Sequence, residues 1–203
     1  RTAAFEAKAQ SMIAAARDFV ATHGMPDIVV ANAGVSRGTL VEHADDLDAF
    51  RAVFDTNVAG IVHTFHPFVA PMRTAGRGTL VGIASVAGFR GLPGASAYSA
   101  SKAAAIRLLE SLRVELHASG VRVVTVSPGY VATPMTPGNP YRMPFLMDAD
   151  RAAASIARAI SRGLAAIVIA FVLVHPVSPV PGERLLDRAL TPLMLLGALA
   201  GGG

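Results

Sequence analysis

The chain has no cysteine, few charged residues and only two lysines among its 203 residues. Without cysteine it forms neither a disulfide framework nor a thiolate metal site, and this fits a reducing compartment, so we expect a cytoplasmic protein. Charged residues make up 16% and hydrophobic residues 52%, which indicates extensive burial rather than disorder. The net charge of +4 comes from scattered arginines without a basic stripe, so the sequence gives little support for nucleic-acid binding.

Two apolar stretches near the C-terminus raise the question of a membrane segment. The uninterrupted part of the first, Leu164 to Val174, has eleven residues, whereas a spanning helix needs about 20. Its Ile and Val content favours a buried strand. The last stretch, Leu190 to Gly203, fits packing on the protein, a dimer contact or contact with a membrane surface. We therefore predict one domain over residues 1–175 and an apolar extension of open role over 176–203.

Helical spacing alternates with short apolar runs along the chain. The spacing predicts helices at Ala3–His23, at about Asp46–Met72 with a bend at Pro67, at Ser96–Leu116 and at about Asp148–Ser161. The apolar runs predict strands in "IVVA", "GTLVGIAS", "VRVVTVSPG" and the run from Leu164. Near-continuous apolar strands between helices predict an α/β fold, a doubly wound parallel sheet buried on both faces in three layers.

Polar residues and glycines follow the predicted strands where each strand ends. These are Asn32-Ala33-Gly34, Ser85 and Ser127-Pro128-Gly129. Ligands of such sheets bind at the carboxyl ends of the strands, so the sequence predicts a binding site at this edge.

Tyr98 and Lys102 lie four residues apart, so they share one face of the predicted helix. The sequence uses arginine for nearly every other positive charge. A lysine ammonium favours ionisation of a nearby hydroxyl. The pair therefore indicates either proton transfer or, alone, an ordinary exposed helical pair.

Five motifs carry a family resemblance. They are "ANAG" with Asn32, "DTNVAG" with Asn57, "IASVAG" with Ser85, "YSASK" from Tyr98 and "SPGYVATPM" from Ser127. Together, and in this order, they resemble the short-chain dehydrogenase/reductase family over about residues 1–160. The resemblance implies a Rossmann-like domain, an NAD or NADP cofactor, a small alcohol or carbonyl substrate and a homodimer or homotetramer.

The resemblance also implies roles for particular residues. Tyr98 would be the general acid/base, and Lys102 would lower its pKa and hold the cofactor ribose. Ser85 would hydrogen-bond the substrate oxygen, and Asn57 would hold a water that links Lys102 to solvent. The cofactor-binding residues would be Asn32, Ala33, Gly34, Tyr98, Lys102, Pro128, Gly129, Val131 and Thr133.

One family feature has no counterpart in the sequence. The family begins with a strand and a Gly-rich turn that binds the cofactor pyrophosphate, whereas this sequence opens directly in a helix. We therefore expect a strand-helix-strand unit of about 50 residues before Arg1. The alternative is a non-catalytic relative or fragment that acts as a structural or interaction module.

A Pro-rich apolar loop follows the third predicted strand. It carries Met135, Tyr141, Met143, Phe145 and Met147. As a lid it would suit a hydrophobic substrate, because methionine side chains adapt to irregular shapes; the alternative is a surface loop packed on the core. His63 and His66 have no third ligand at convincing spacing, so no metal is expected.

Overall fold

The computed structural model describes residues 2–134, 136, 143 and 145–169. The helices are α1 (Thr2–His23), α2 (Leu47–Phe54), α3 (Gly60–Ala75), α4 (Ser96–Glu115) and α5 (Ala149–Ser161). The strands are β1 (Ile28–Ala31), β2 (Gly78–Ile83), β3 (Val121–Pro128) and β4 (Ala166–Ile169). The predicted extension over 176–203 and the end of the run to Val174 lie outside the described residues.

The strands form a parallel sheet in the order β1-β2-β3-β4. Ile28 pairs with Thr79, Gly78 with Val121, and Thr125 with Ala166. Parallel neighbours need a crossover, and helices supply it between successive strands. The predicted α/β fold with a parallel sheet is confirmed.

Apolar side chains fill both sides of the sheet in two clusters. Leu80 and Val123 belong to the cluster that includes residues of α1, α3 and α4. The residues that follow them, Val81 and Val124, belong to the cluster that includes residues of α5. Because successive side chains of a strand point to opposite faces, β2 and β3 are buried from both sides. The predicted three layers are present.

Strand β1 departs from this burial. Val29 and Ala31 are buried, but Ile28 and Val30 are each 48% exposed. Within the part of the chain that the structure describes, β1 is one of the two edge strands, and β4 is the other. The prediction of burial on both faces is therefore wrong for β1, where only one face meets the helical layer of α1 and α3.

The helix predicted over about Asp46–Met72 is present, since α2, a π-helical turn at Asp55–Ala59 and α3 follow one another without a break from Leu47 to Ala75. The π-turn inside it was not predicted. A π-turn bonds each residue five positions along rather than four, so it accommodates an extra residue and shifts the helical face. Pro67, where we predicted a bend, lies inside α3 together with Pro71.

The other helices agree closely with their predictions. Gly24, at φ +79°, follows α1 in the left-handed conformation that suits glycine. Asp148 caps α5 by accepting hydrogen bonds from the amides of Asp150 and Arg151 at 2.9 and 3.2 Å. Among the described residues, no helix has both the length and the apolar character to cross a membrane.

Candidate active site

The carboxyl ends of three strands bring the predicted site residues to one edge of the sheet. Ala31 pairs with Gly82, and Ile83 pairs with Val126, so β1, β2 and β3 end close together. The residues that follow them in sequence are Asn32-Ala33-Gly34, Ser85 and, at the end of β3, Pro128-Gly129. The first turns of α4 complete this edge with Tyr98 and Lys102.

Asn57 lies in the π-turn, and its side chain is only 1% exposed. Its Oδ1 accepts a hydrogen bond from the Val35 amide at 2.8 Å, and its Nδ2 donates to the Val35 carbonyl at 3.0 Å. Nδ2 also donates to Ser101 Oγ at 2.9 Å. Both amide donors are therefore used, and Asn57 joins the segment after β1 to helix α4. The water predicted beside Asn57 stays a prediction. Oδ1 accepts one hydrogen bond, from Val35, so its second lone pair could accept one from such a water.

Ser101 extends this connection to Tyr98. Its fully buried hydroxyl accepts from Asn57 and donates to the Tyr98 carbonyl at 2.7 Å. The sequence analysis missed Ser101, although it lies inside the "YSASK" motif. The available signal was a small polar residue three positions after Tyr98, on the inner face of an amphipathic helix.

Lys102 is 4% exposed, and its ammonium donates to the Ile83 carbonyl at 2.8 Å, at the end of β2. Burial lowers the pKa of Lys102 from 10.5 to about 8. Gly34 leaves space beside this group, because a Cβ there would lie 3.4 Å from Lys102 Nζ and 3.5 Å from Asn57 Oδ1. Lys102 is thus held at the sheet edge as a cation that is still mostly protonated at neutral pH.

Tyr98 is half-buried one turn before Lys102, and the ammonium lies 5.8 Å from the centre of its ring. Burial raises the pKa of Tyr98 above its ordinary value of 10.0, and a hydrogen bond with Ser85 acts in the lowering direction. The predicted lowering of this pKa by Lys102 is therefore not found. The physical reason is that the phenol loses solvent while the ammonium is directed at the Ile83 carbonyl.

Ser85 is held by the short 3-10 turn that it caps. Its Oγ accepts from the Ala87 amide at 3.1 Å, at the start of the turn Val86–Gly88. Gly88 lets this turn approach α4, since a Cβ at Gly88 would lie 2.8 Å from the Lys102 carbonyl carbon and oxygen. The sequence analysis missed this contact, which brings the Ser85 turn against the helix that carries Tyr98.

The predicted cofactor-binding residues are more open than the buried group around Asn57. Asn32, Ala33 and Thr133 are exposed, whereas Gly34, Pro128, Gly129 and Val131 are half-buried. The site therefore combines a buried polar interior with an open rim formed by the segments after β1 and β3.

Backbone hydrogen bonds join the two ends of the loop that we predicted as a lid. The Met147 amide donates to the Tyr130 carbonyl, and the Ala132 amide donates to the Met147 carbonyl, both at 2.9 Å. Met147 is half-buried and packs against the core cluster that contains Val81 and Val124, so this residue is fixed on the core. Phe145 is 60% exposed and Met143 is half-buried, while Met135 and Tyr141 lie outside the described residues.

No group of three or more His, Asp or Glu side chains among the described residues is arranged to hold a metal ion. His63 is buried in α3, and burial lowers its pKa, whereas His66 is exposed.

The model of the family described as short chain dehydrogenase matches residues 3–141. The chain belongs to the short chain dehydrogenase family. The resemblance predicted from the five motifs is thereby confirmed. An uncharacterised oxidoreductase of Myxococcus xanthus is 41% identical over 169 residues, which cover 83% of this chain and 66% of the relative. The chain thus spans slightly less than two thirds of that relative's length.

Solved structures of the family share the fold. A short chain dehydrogenase from Burkholderia cenocepacia, crystallised with NADP, superposes with a TM-score of 0.73 at 24% identity, over 94% of this chain and 73% of the other. A 4-hydroxyisoleucine dehydrogenase complexed with NADH gives a TM-score of 0.67 at 26% identity, over 79% of this chain and 74% of the other. The Rossmann-like fold follows from these superpositions.

Proposed function

We propose that the protein is an NAD(P)-dependent oxidoreductase that transfers a hydride between a nicotinamide and an alcohol or carbonyl substrate. The observation that carries the proposal is the buried hydrogen-bonded group at the carboxyl edge of the sheet, in which Asn57, Ser101 and Lys102 surround the helical turn of Tyr98. Membership of a family whose relatives include oxidoreductases supports it.

The residues at the rim fit a nicotinamide nucleotide. The space that a Cβ at Gly34 would fill lies against the Lys102 ammonium, which has three donors and uses one on Ile83. Lys102 and Tyr98 would hold the ribose. The other predicted cofactor-binding residues would line the cofactor site, namely Asn32, Ala33, Gly34, Pro128, Gly129, Val131 and Thr133. When bound, the nicotinamide supplies or accepts the hydride. The NADH complex of the 4-hydroxyisoleucine dehydrogenase supports this class of cofactor, and the choice between NAD and NADP stays open.

Tyr98 is the proposed general acid. As a carbonyl oxygen gains negative charge, the phenol donates its proton to that oxygen, and the same group takes the proton back when an alcohol is oxidised. The raised pKa of Tyr98 keeps the phenol protonated before the reaction. Ser85, which hydrogen-bonds Tyr98, donates to the same substrate oxygen and stabilises its charge.

Lys102 has an electrostatic role in this scheme. The phenolate that remains after proton donation lies one helical turn from the ammonium, and a buried site weakens charge screening by solvent. In this proposal the ammonium would reduce the cost of forming the phenolate without offsetting the burial that raises the pKa of Tyr98. Asn57 keeps α4 in register with the segment after β1. Proton return through a water at Asn57 is part of the proposal.

A hydrophobic substrate is proposed from the apolar surface near the site. Phe89 follows the Ser85 turn, and Phe145 and Leu146 end the loop after β3; all three side chains are exposed. A homodimer or homotetramer and a cytoplasmic location stay predictions.

The test combines cofactor binding with turnover. Nicotinamide fluorescence is titrated with NADH and with NADPH, and oxidation of the bound cofactor is then followed with a panel of ketones and aldehydes of rising chain length. Tyr98→Phe should lower kcat by about 100-fold or more, the usual weight of a general acid, with little change in cofactor binding. Lys102→Met should lower both kcat and the affinity for the cofactor. Lys8→Met, on the exposed surface of α1, should change neither quantity.

Each outcome decides between the two functions. Saturable cofactor binding together with loss of turnover in Tyr98→Phe supports the oxidoreductase. No binding of either nucleotide supports the alternative of a non-catalytic relative or fragment.

A further inference from the structure

Helix α4 begins without a capping side chain of its own. Its N-cap residue is Ala95, which has no side-chain oxygen to accept from the first amides of the helix. The missing acceptor comes from a segment 58 residues earlier, because Thr39 Oγ1 accepts a hydrogen bond from the Ala97 amide at 3.1 Å. Ala97 is the second residue of α4, which is a position that N-cap side chains normally serve.

Several contacts hold Thr39 in this position. Its side chain is 2% exposed, and its amide donates to the Gly94 carbonyl at 2.9 Å. Thr39 Oγ1 and Ser96 Oγ lie 3.1 Å apart, and Ser96 Oγ also lies 3.2 Å from the Thr39 carbonyl, to which it can donate. A short parallel bridge pairs Thr39 with Ala95. The segment between β1 and α2 is thus fastened to both the residue before α4 and the first turn of α4.

The first turn of α4 carries Tyr98. Ala97, which Thr39 caps, is its chain neighbour, and Ser101 holds the carbonyl of Tyr98 from the other side. From this geometry we propose that Thr39 is a positioning residue for Tyr98, in that its hydroxyl fixes the first turn of α4 and so places the phenol beside Ser85. The inference deepens the proposed oxidoreductase function and rests on it for its catalytic consequence.

The test compares Thr39→Val, which keeps the shape and removes the acceptor, with Thr39→Ser, which keeps the acceptor. Thr39→Val should lower kcat by about tenfold or more, since a shift of about 1 Å in a reacting group can cost about 100-fold, while the KM for cofactor changes little. Thr39→Ser should restore kcat. Thr64→Val is the matched control, because the Thr64 hydroxyl donates to the Gly60 carbonyl of its own helix and caps no other element among the described residues.

A second measurement does not depend on turnover. With tyrosine labelled at 13Cζ and the Tyr98 signal assigned from Tyr98→Phe, the Tyr98 resonance should move in Thr39→Val and keep its wild-type position in Thr39→Ser and Thr64→Val. A general loss of stability would not separate Thr39→Val from Thr64→Val in this way. The groups near the phenol that could move this resonance are Ser85 and Lys102, and none of these variants changes them.

Failure of the inference and failure of the proposed function give different results. Normal kcat and an unmoved Tyr98 resonance in Thr39→Val overturn the positioning role and leave the oxidoreductase function intact. An inactive wild-type protein overturns the function, and the resonance alone then decides whether Thr39 positions Tyr98. If Thr39→Val does not fold, Thr39→Ala decides instead, because it removes the same acceptor without placing a methyl group against the Ala97 amide: a moved Tyr98 resonance supports the inference, and an unmoved one overturns it.

Discussion

Replacing Asn57 with alanine removes three hydrogen bonds at one buried position. The Ser101 hydroxyl loses its donor in a place that water does not reach, because Ser101 is fully buried. The Val35 amide and carbonyl also lose their partners, although water can replace part of this loss since Val35 is half-buried. Taking about 1–3 kcal/mol for each buried group left unpaired and discounting Val35, we expect a loss of about 2–4 kcal/mol.

Thermal and urea unfolding measure this loss directly. For a chain of this length, about 2–4 kcal/mol corresponds to a fall in Tm of about 4–16 °C. Asn32→Ala is the matched control, since Asn32 is exposed and should leave the free energy of unfolding unchanged within about 0.5 kcal/mol. If Asn57→Ala unfolds at the same temperature and urea concentration as Asn32→Ala, the side chain does not join the two segments as described.

Two further predictions concern Lys102. In the folded protein its pKa of about 8 lies below the 10.5 of an exposed lysine. Between pH 8 and 10 the unfolded chain therefore holds more of this proton than the folded chain. The free energy of unfolding should thus rise with pH in this range. Above pH 10 the raised pKa of Tyr98 works in the opposite direction. Urea titrations from pH 7 to 10 should show this rise in the wild type, and a similar rise in Lys102→Met would contradict it. Gly88→Ala should cost about 1–3 kcal/mol and lower turnover, because its Cβ would collide with the Lys102 main chain. Gly91→Ala, with nothing within 4 Å of its Cβ, should unfold like the wild type, and equal Tm values for the two variants would exclude the close contact.

The elements that were predictable from the sequence are those whose cause lies within a few residues. Strands β2 and β3 are short apolar runs, and α5 carries both its periodicity and its capping aspartate. Tyr98 and Lys102 share a helix face because of their spacing alone. The family motifs then indicated which side chains meet at the sheet edge.

The elements that the sequence analysis missed depend on contacts between distant segments. The π-turn at Asp55–Ala59 turns Asn57 toward Val35 and Ser101, and neither contact is visible in local periodicity. Hydropathy alone marks Ile28 and Val30 as buried, but the helices α1 and α3 cover the face of β1 that carries Val29 and Ala31, so the alternate side chains are exposed. The pKa of Tyr98 depends on burial by the surrounding elements, which outweighs the spacing to Lys102.

The capping of α4 by Thr39 has a consequence for the order in which the molecule assembles. An ordinary cap closes a loop of a few residues, whereas this one requires the chain to close a loop of 58 residues first. The first turn of α4 can therefore form early, but its cap is complete only when the segment after β1 has docked on it. Contacts of such high sequence separation are slow to form. The phenol of Tyr98 should thus reach its final place only after this long-range contact has formed.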